Sequence, residues 1–67
     1  MRVNILVHDG YDLDQLTGRL VESGIPVSQT LKILNTITAD VPDQKLAEIR
    51  AMDAVKSVEP DRAVRAL

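Results

Sequence analysis

The feature that most constrains this fold is the order of its hydrophobic patterns, which begins with a strict alternation. Within residues 2–8, the side chains of Val3, Ile5 and Val7 fall on one side of an extended chain. A period of two residues is typical of a strand that buries one face. The segment therefore predicts a first strand, and Asp9-Gly10 predicts the turn that ends it.

A helix is predicted after this turn, because the apolar residues then recur every three or four positions. Asp12 is a favourable N-cap, and Gln15 completes a capping box with it. Gly24 and Pro26 predict the C-terminal end, since glycine adopts the left-handed conformation found there and proline cannot continue the helix. Gly18 lies mid-helix, where it predicts close packing on the sheet. The expected apolar stripe consists of Leu13, Leu16, Leu20 and Val21.

The second half of the chain predicts a hairpin, a helix and a final strand. Residues 27–34 and 36–41 predict two strands joined by a tight turn at Asn35-Thr36. Pro42-Asp43 opens a second helix, and residues 55–59 predict the last strand. The residues expected to face inward are Val27, Leu31, Ile33, Ile37, Ala39 and Val41 in the hairpin, and Leu46, Ile49 and Met52 in the helix.

The order strand, helix, strand, strand, helix, strand predicts an α+β fold. With right-handed crossovers it gives the ferredoxin-like split βαβ arrangement, in which two helices cover one face of a four-stranded antiparallel sheet. The chain has 67 residues, enough for one domain. We divide it into a folded part, residues 1–61, and a C-terminal tail, residues 62–67 (the tail). The core must be aliphatic, because Tyr11 is the only aromatic residue.

The composition argues against several classes of partner. A formal net charge of −2 disfavours nucleic acids, which require clustered Lys and Arg. No apolar run approaches the roughly 18 residues of a membrane span, and no basic segment precedes an apolar one as in a secretory signal. If Met1 is the natural start, a cytoplasmic location is expected; if the domain is excised from a protease precursor, it is secreted.

The residues that could support catalysis are few, and we expect no enzyme activity. His8 is the only histidine and cysteine is absent, so no nucleophile with a matching base is evident. The carboxylates of Asp9, Asp12 and Asp14 cluster near the start of the first helix, where capping and the helix dipole explain them better than a metal ion does. The sequence also lacks a glycine-rich phosphate loop. We therefore expect no cofactor and no metal.

The C-terminal segment carries the strongest functional signal. Glu59 and Asp61 are two positions apart, so an extended backbone directs both carboxylates to the same side. Paired carboxylates can cap the N-termini of a partner's helices, although spacing alone favours plain surface charges. The chain then ends on an apolar residue, Leu67. A protease would bind such an end as a product, with its free carboxylate in the cleft.

These residues resemble the signature of a known family. The pattern Val55-x-x-Val58-Glu59-x-Asp61 is similar to that of the propeptide domain of subtilisin-type serine proteases and of the stand-alone inhibitors related to it. The spacing from this pattern to Leu67 equals the spacing to the family's cleavage point. The likeness covers the last two thirds of the chain, and the first third agrees only in fold pattern. Further positions in register are Gly24-x-x-Val27, Leu31, Ile33 and Ala39-x-Val41.

The resemblance implies a function and a set of contacts. In that family the open sheet face packs on two helices of the protease, and acidic residues matching Glu59 and Asp61 cap those helices. The tail lies along the substrate cleft by β-augmentation, and the same contacts help the protease to fold as an intramolecular chaperone. The subsites implied for the tail are S4 for Val64, solvent for Arg65, S2 for Ala66 and S1 for Leu67.

The sequence thus predicts an inhibitor of a subtilisin-like protease that is a monomer when free. One alternative is a regulatory module of the same fold that binds a small molecule and pairs its sheets edge to edge. Asp9-Gly10 weakly fits the glycine-bearing loop of such modules. A second alternative is an interaction domain excised from a larger protein, since a fold does not determine a function.

Overall fold

The computed structural model describes residues 1–61. The predicted contacts of Val64, Arg65, Ala66 and Leu67 therefore lie outside the described residues. Two short 3₁₀ turns, Lys32–Leu34 and Asp43–Lys45, accompany the strands and helices. The strands are β1 (Arg2–Val7), β2 (Val27–Leu31), β3 (Thr36–Asp40) and β4 (Val55–Pro60), and the helices are α1 (Leu13–Glu22) and α2 (Leu46–Arg50).

The sheet has the strand order β2-β3-β1-β4, and each neighbouring pair is antiparallel. The first and third strands are therefore central, while β2 and β4 form the edges. Together with a helix after β1 and another after β3, this order is the ferredoxin-like split βαβ arrangement. The predicted fold class is confirmed.

The core lies between the sheet and the helices, and it is aliphatic as predicted. The alternating residues of β1 supply its centre, since Val3, Ile5 and Val7 are buried. In β3, Ile37 and Ala39 are fully buried, and Val41 is buried just after the strand ends. The helices and loops contribute Leu13, Leu16, Leu20, Ile25 and Ile49, and Val55 of β4 completes the cluster.

Both predicted ends of α1 are confirmed. The Asp12 side chain accepts hydrogen bonds from the backbone N–H groups of Asp14 and Gln15, at 2.9 and 3.2 Å. Gly24 has a positive φ of 85°, as expected of the glycine that follows a helix. Val21, which we expected in the apolar stripe, is 55% exposed. The buried stripe of α1 is therefore narrower than predicted, with Leu13, Leu16 and Leu20 only.

The prediction of close packing at Gly18 was wrong, and this has a consequence for stability. Gly18 is exposed, and a Cβ atom added there would meet nothing within 4 Å. Gly18→Ala should therefore stabilise the protein by about 0.5–1 kcal/mol, because alanine is the better helix former. Urea unfolding measures this. Gly24→Ala is the matched control, and it should destabilise because alanine is strained at positive φ. A loss of stability in Gly18→Ala would contradict the account.

The second strand ends earlier than predicted. β2 stops at Leu31, a 3₁₀ turn follows, and Asn35 adopts the left-handed conformation with a φ of 49°. The backbone N–H of Asn35 donates to the carbonyl of Lys32 at 3.2 Å, which closes the turn.

The prediction that Ile33 faces inward was wrong, because the turn leaves that side chain 98% exposed. The same prediction for Leu31 was also wrong. The register irregularity between Val27 and Gln29 shifts the alternation, so Leu31 lies opposite Thr36 on the sheet face away from the core.

The remaining boundaries differ in detail. The second helix begins with the 3₁₀ turn Asp43–Lys45, so its α-helical part is only Leu46–Arg50. Ile49 is buried in the core, whereas Leu46 and Met52 are partly buried against it. The last strand includes Pro60, one residue more than predicted. Proline is tolerated there because β4 is an edge strand.

Candidate partner-binding face

Among residues 1–61, no helix lies on one face of the sheet, and we call this face the open face. Cross-strand register arranges its side chains in three rows that run across the strands. The first row consists of Ser57, Leu6, Thr36 and Leu31. The second consists of Glu59, Asn4, Thr38 and Gln29. The third consists of Asp61, Arg2 and Asp40. The face is thus apolar at one end and charged at the other.

At the centre of the open face, the side chains of Asn4, Thr36 and Thr38 are uncharged and make hydrogen bonds within the protein. The Thr38 hydroxyl donates to Oδ1 of Asn4 at 2.8 Å, and Thr38 is only 2% exposed. The Thr36 hydroxyl donates to the carbonyl of Leu34, also at 2.8 Å. Within residues 1–61, every buried polar side-chain atom has a partner. A protein surface could cover this area without burying a charge or an unpaired polar group.

The two carboxylates that the sequence analysis singled out lie on the β4 side of the open face, Glu59 in the second row and Asp61 in the third. Glu59 is exposed and lies opposite Asn4 in the register of β1 and β4. Asp61 is held by Arg2 in two ways. Its backbone N–H donates to the Arg2 carbonyl at 3.0 Å, and its Oδ2 atom is 2.9 Å from Arg2 Nε. Both carboxylates therefore lie on the open face, next to the point where the chain continues into the tail.

The two carboxylates differ in their availability. Asp61 already has a cationic partner, and its side chain is 26% exposed. In the part of the chain that the structure describes, Glu59 makes no salt bridge. Of the two, Glu59 is thus the carboxylate that is ready to accept hydrogen bonds from a partner. The pairing of Asp61 with Arg2 was not anticipated, because it depends on residues at opposite ends of the chain.

The apolar end of the face continues into a feature that the sequence analysis missed. Leu31, Ile33 and Leu34 lie together at the corner where β2 meets its 3₁₀ turn, and we call them the apolar corner. Ile33 is 98% exposed and Leu34 is 66% exposed. The intervening Lys32 turns to α1, where its Nζ lies 3.0 Å from Oδ2 of Asp14. The hydrogen bond that Lys32 donates to Asp14, together with the negative charge of Asp14, raises the pKa of Lys32.

Of the other residues considered for catalysis or metal binding, three make structural contacts and one is exposed. His8 is exposed, and Asp9 accepts a hydrogen bond of 2.6 Å from the Asn35 side-chain amide. Asp12 caps α1 and Asp14 pairs with Lys32. Among residues 1–61, no group of three or more His, Cys, Asp or Glu side chains is placed to hold a metal ion.

A shallow cavity of about 300 Å³ lies on the helix side of the sheet. The cavity lies between the start of α1, at Tyr11 and Asp12, and the loop at Met52 and Asp53. Arg19 also lines it. This volume is at the lower limit for a small-molecule pocket, roughly 300 Å³.

Over the described range 1–61, no helix is long and apolar enough to cross a membrane. The sequence matches no protein-family model, and no curated protein matches it.

Proposed function

We propose that this chain is an inhibitor of subtilisin-like serine proteases that binds through its open face and its tail. The observation that carries the proposal is the position of Glu59 and Asp61. Both carboxylates lie on the open face beside the exit of the chain towards the tail. A partner that covers this face would meet the carboxylates and the tail together.

The open face suits contact with the helices of a protein. Its centre is neutral, and its edge presents a free carboxylate at Glu59. The N-terminus of a helix has unpaired N–H groups and a partial positive charge, and it attracts such a carboxylate. Asp61 would bind a second helix either beside Arg2 or after separating from it. Since Arg2 is more than half exposed and Asp61 about a quarter, solvent still screens this pair. Separation should therefore cost only about 1 kcal/mol.

The tail supplies the inhibitory contact in this proposal. Val64 fills the S4 subsite, Ala66 lies in S2 and Leu67 fills S1, while Arg65 points to solvent. Leu67 then lies near the nucleophile of the protease, and inhibition results from occupancy of the cleft. The same contacts would let the chain assist folding of the protease.

Steady-state kinetics of a subtilisin with a small chromogenic peptide substrate test this function. The full chain should inhibit competitively, so that the apparent inhibition constant rises with substrate concentration. Catalytic turnover at saturating substrate should be unaffected. Absence of inhibition at micromolar concentrations of the chain, or inhibition that does not depend on substrate concentration, would contradict the proposal.

The capping role of Glu59 gives a sharper prediction. Glu59→Gln keeps the shape of the side chain and removes its charge. The inhibition constant should rise about 3- to 30-fold, because a charged cap at a helix N-terminus contributes roughly 0.5–2 kcal/mol. Glu22→Gln is the matched control, since Glu22 is an exposed carboxylate on α1, on the other side of the sheet. Equal inhibition by the two variants would make Glu59 a plain surface charge.

The regulatory-module alternative has one observation in its favour, which is the cavity beside Tyr11, Arg19 and Asp53. It follows directly after the Asp9-Gly10 turn that suggested this alternative. Its test is thermal unfolding in the presence of single amino acids, together with sedimentation of the free chain. A ligand-dependent rise in the melting temperature and a stable dimer would support the alternative. A monomer with an unchanged melting temperature would exclude it.

A further inference from the structure

The end of the folded part is held to β1 by two contacts that meet at one residue. The backbone N–H of Asp61 donates to the carbonyl of Arg2 at 3.0 Å, and Oδ2 of Asp61 lies 2.9 Å from Nε of Arg2. The backbone contact extends the pairing of β1 and β4 by one residue beyond Pro60. We call these two contacts between Arg2 and Asp61 the clasp.

The charges of the third row explain why Arg2 pairs with Asp61. Arg2 lies between two carboxylates, since Asp40 is opposite it on β3 and Asp61 is opposite it at the end of β4. Oδ1 of Asp40 lies 3.1 Å from the ammonium group of Met1. Each carboxylate of the row thus has its own cation, and the guanidinium of Arg2 binds Asp61.

The residues before the clasp restrict the backbone. Proline fixes its own φ and disfavours the helical region for the residue that precedes it. Pro60 therefore stiffens the end of β4 and keeps Glu59 extended. The clasp then fixes Asp61, the residue that follows Pro60. Residues 59–61 thus form a stiff segment, and this segment sets the position from which the tail starts.

We propose that the clasp stays closed when the protease binds, and that Arg2 is a positioning residue for the tail. This inference rests on the proposed function and selects one of its two states for Asp61. Arg2 acts through Asp61 and not through a contact with the protease. Because the clasp holds the start of the tail, less conformational entropy is lost when the tail binds. Glu59 is then the carboxylate that caps a helix of the protease.

The surroundings of the two carboxylates favour the closed state. Asp61 is 26% exposed beside its cation, whereas Glu59 is exposed and makes no salt bridge among residues 1–61. A helix N-terminus carries only about half an elementary charge, less than a guanidinium does. Exchange of Arg2 for such a helix would weaken the interactions of Asp61. Glu59 gains a partner without losing one.

The sign of one change in affinity tests the inference. Arg2→Gln removes the charge and keeps a polar side chain on the strand. If the clasp stays closed, the inhibition constant for subtilisin should rise about 2- to 5-fold, which is the contribution of a partly exposed ion pair. If the clasp had to open, the same change should lower the inhibition constant, because Asp61 would no longer have to leave a cation. A lower or unchanged constant would overturn the inference.

The partner variant shows whether the two side chains act together. Asp61→Asn should weaken inhibition by a similar factor, and the double variant Arg2→Gln/Asp61→Asn by no more than either change alone, because all three remove the same contact. Additive losses would contradict the clasp. Asp14→Asn is the matched control, since Asp14 on α1 also forms an ion pair, with Lys32. Its inhibition constant should stay within about 1.5-fold of the parent, because the change lies outside the interface.

A positioning role also requires that the effect of Arg2 depends on the tail. Calorimetry measures binding of the chain without residues 64–67 to a subtilisin whose nucleophilic serine is replaced by alanine. In this chain, Arg2→Gln should change the dissociation constant by less than about 1.5-fold. An equal loss with and without residues 64–67 would mean that Arg2 contacts the protease directly, and it would overturn the inference. If the shortened chain does not bind, all affinity depends on the tail, and the loss in the full chain acts through it.

The outcomes separate this inference from the proposed function. Inhibition by the parent with no rise of the inhibition constant in Arg2→Gln would overturn the inference alone. Absence of inhibition by the parent would overturn the proposed function, and the inference with it. Urea unfolding shows whether each variant stays folded. If Arg2→Gln is destabilised, Asp61→Asn replaces it in the comparison with and without residues 64–67, since a direct helix cap would be lost in both chains and a positioning effect only in the full one.

Discussion

Removal of residues 64–67 should raise the inhibition constant for subtilisin by about 100- to 10,000-fold. In the proposed complex, the truncated chain would lose two apolar anchors, Val64 in S4 and Leu67 in S1. Burial of one large apolar side chain stabilises a complex by about 1.5–3 kcal/mol, and about 1.4 kcal/mol corresponds to a tenfold change in affinity. The residual binding should come from the open face, so the truncated chain should still bind weakly.

The truncation needs a control that preserves the length of the tail. Arg65→Ser is suitable, because Arg65 is expected to point to solvent between the two anchors. Its inhibition constant should change much less than that of the truncated chain, by about threefold or less for a rim charge. Competition kinetics measure both constants, and urea unfolding should give the same midpoint for both. Undiminished inhibition by the truncated chain would refute the role of the tail and leave the open face as the whole site.

Ile37→Ala should remove a large part of the free energy of unfolding, about 2–5 kcal/mol. Ile37 lies in the central strand β3 and is 0% exposed. Replacement of a buried isoleucine by alanine costs about 2–5 kcal/mol, since a cavity remains. A domain of this length has a total stability of only about 3–10 kcal/mol. The loss is therefore a large fraction of the whole free energy of unfolding.

A second isoleucine in the same hairpin provides the control. Ile33→Ala makes the same chemical change at a side chain that is 98% exposed. Its effect on stability should be within about 0.5 kcal/mol. Circular dichroism during urea and thermal unfolding distinguishes the two variants. Similar losses in both would mean that Ile33 is packed in solution, contrary to its exposure in the structure.

The successes of the sequence analysis came from local patterns with strong physical causes. The alternation at Val3, Ile5 and Val7 predicted β1, and the cap at Asp12 together with Gly24 predicted the ends of α1. In each case the side chains that determine the structure lie within a few residues of one another. Once these elements were known, right-handed crossovers left few possible topologies.

The wrong predictions concern parts of the structure that depend on contacts between residues far apart in the sequence. Residues 27–34 alternate as a strand would, yet β2 ends at Leu31. The turn that follows depends on Asn35, which is bound to Asp9 and to the backbone of Val7. Neither contact is visible in a local pattern. The exposure of Ile33, and with it the apolar corner, could not be predicted for the same reason.

In the candidate site too, local patterns could be predicted from the sequence and long-range contacts could not. The spacing of Glu59 and Asp61 in an extended segment was enough to predict that they share a face. The ion pair between Asp61 and Arg2 required the register of β1 against β4, which joins the two ends of the folded part. The contacts of the tail at Val64 and Leu67 stay predictions based on the family resemblance.

The most direct test of the central claim is to map the surface that a subtilisin covers. Isotope-labelled chain is mixed with a subtilisin variant whose nucleophilic serine is replaced by alanine, and backbone amide signals are compared before and after binding. The account predicts the largest changes across the three rows of the open face and in the tail. Changes confined to α1 and α2, or no changes at all, would contradict it.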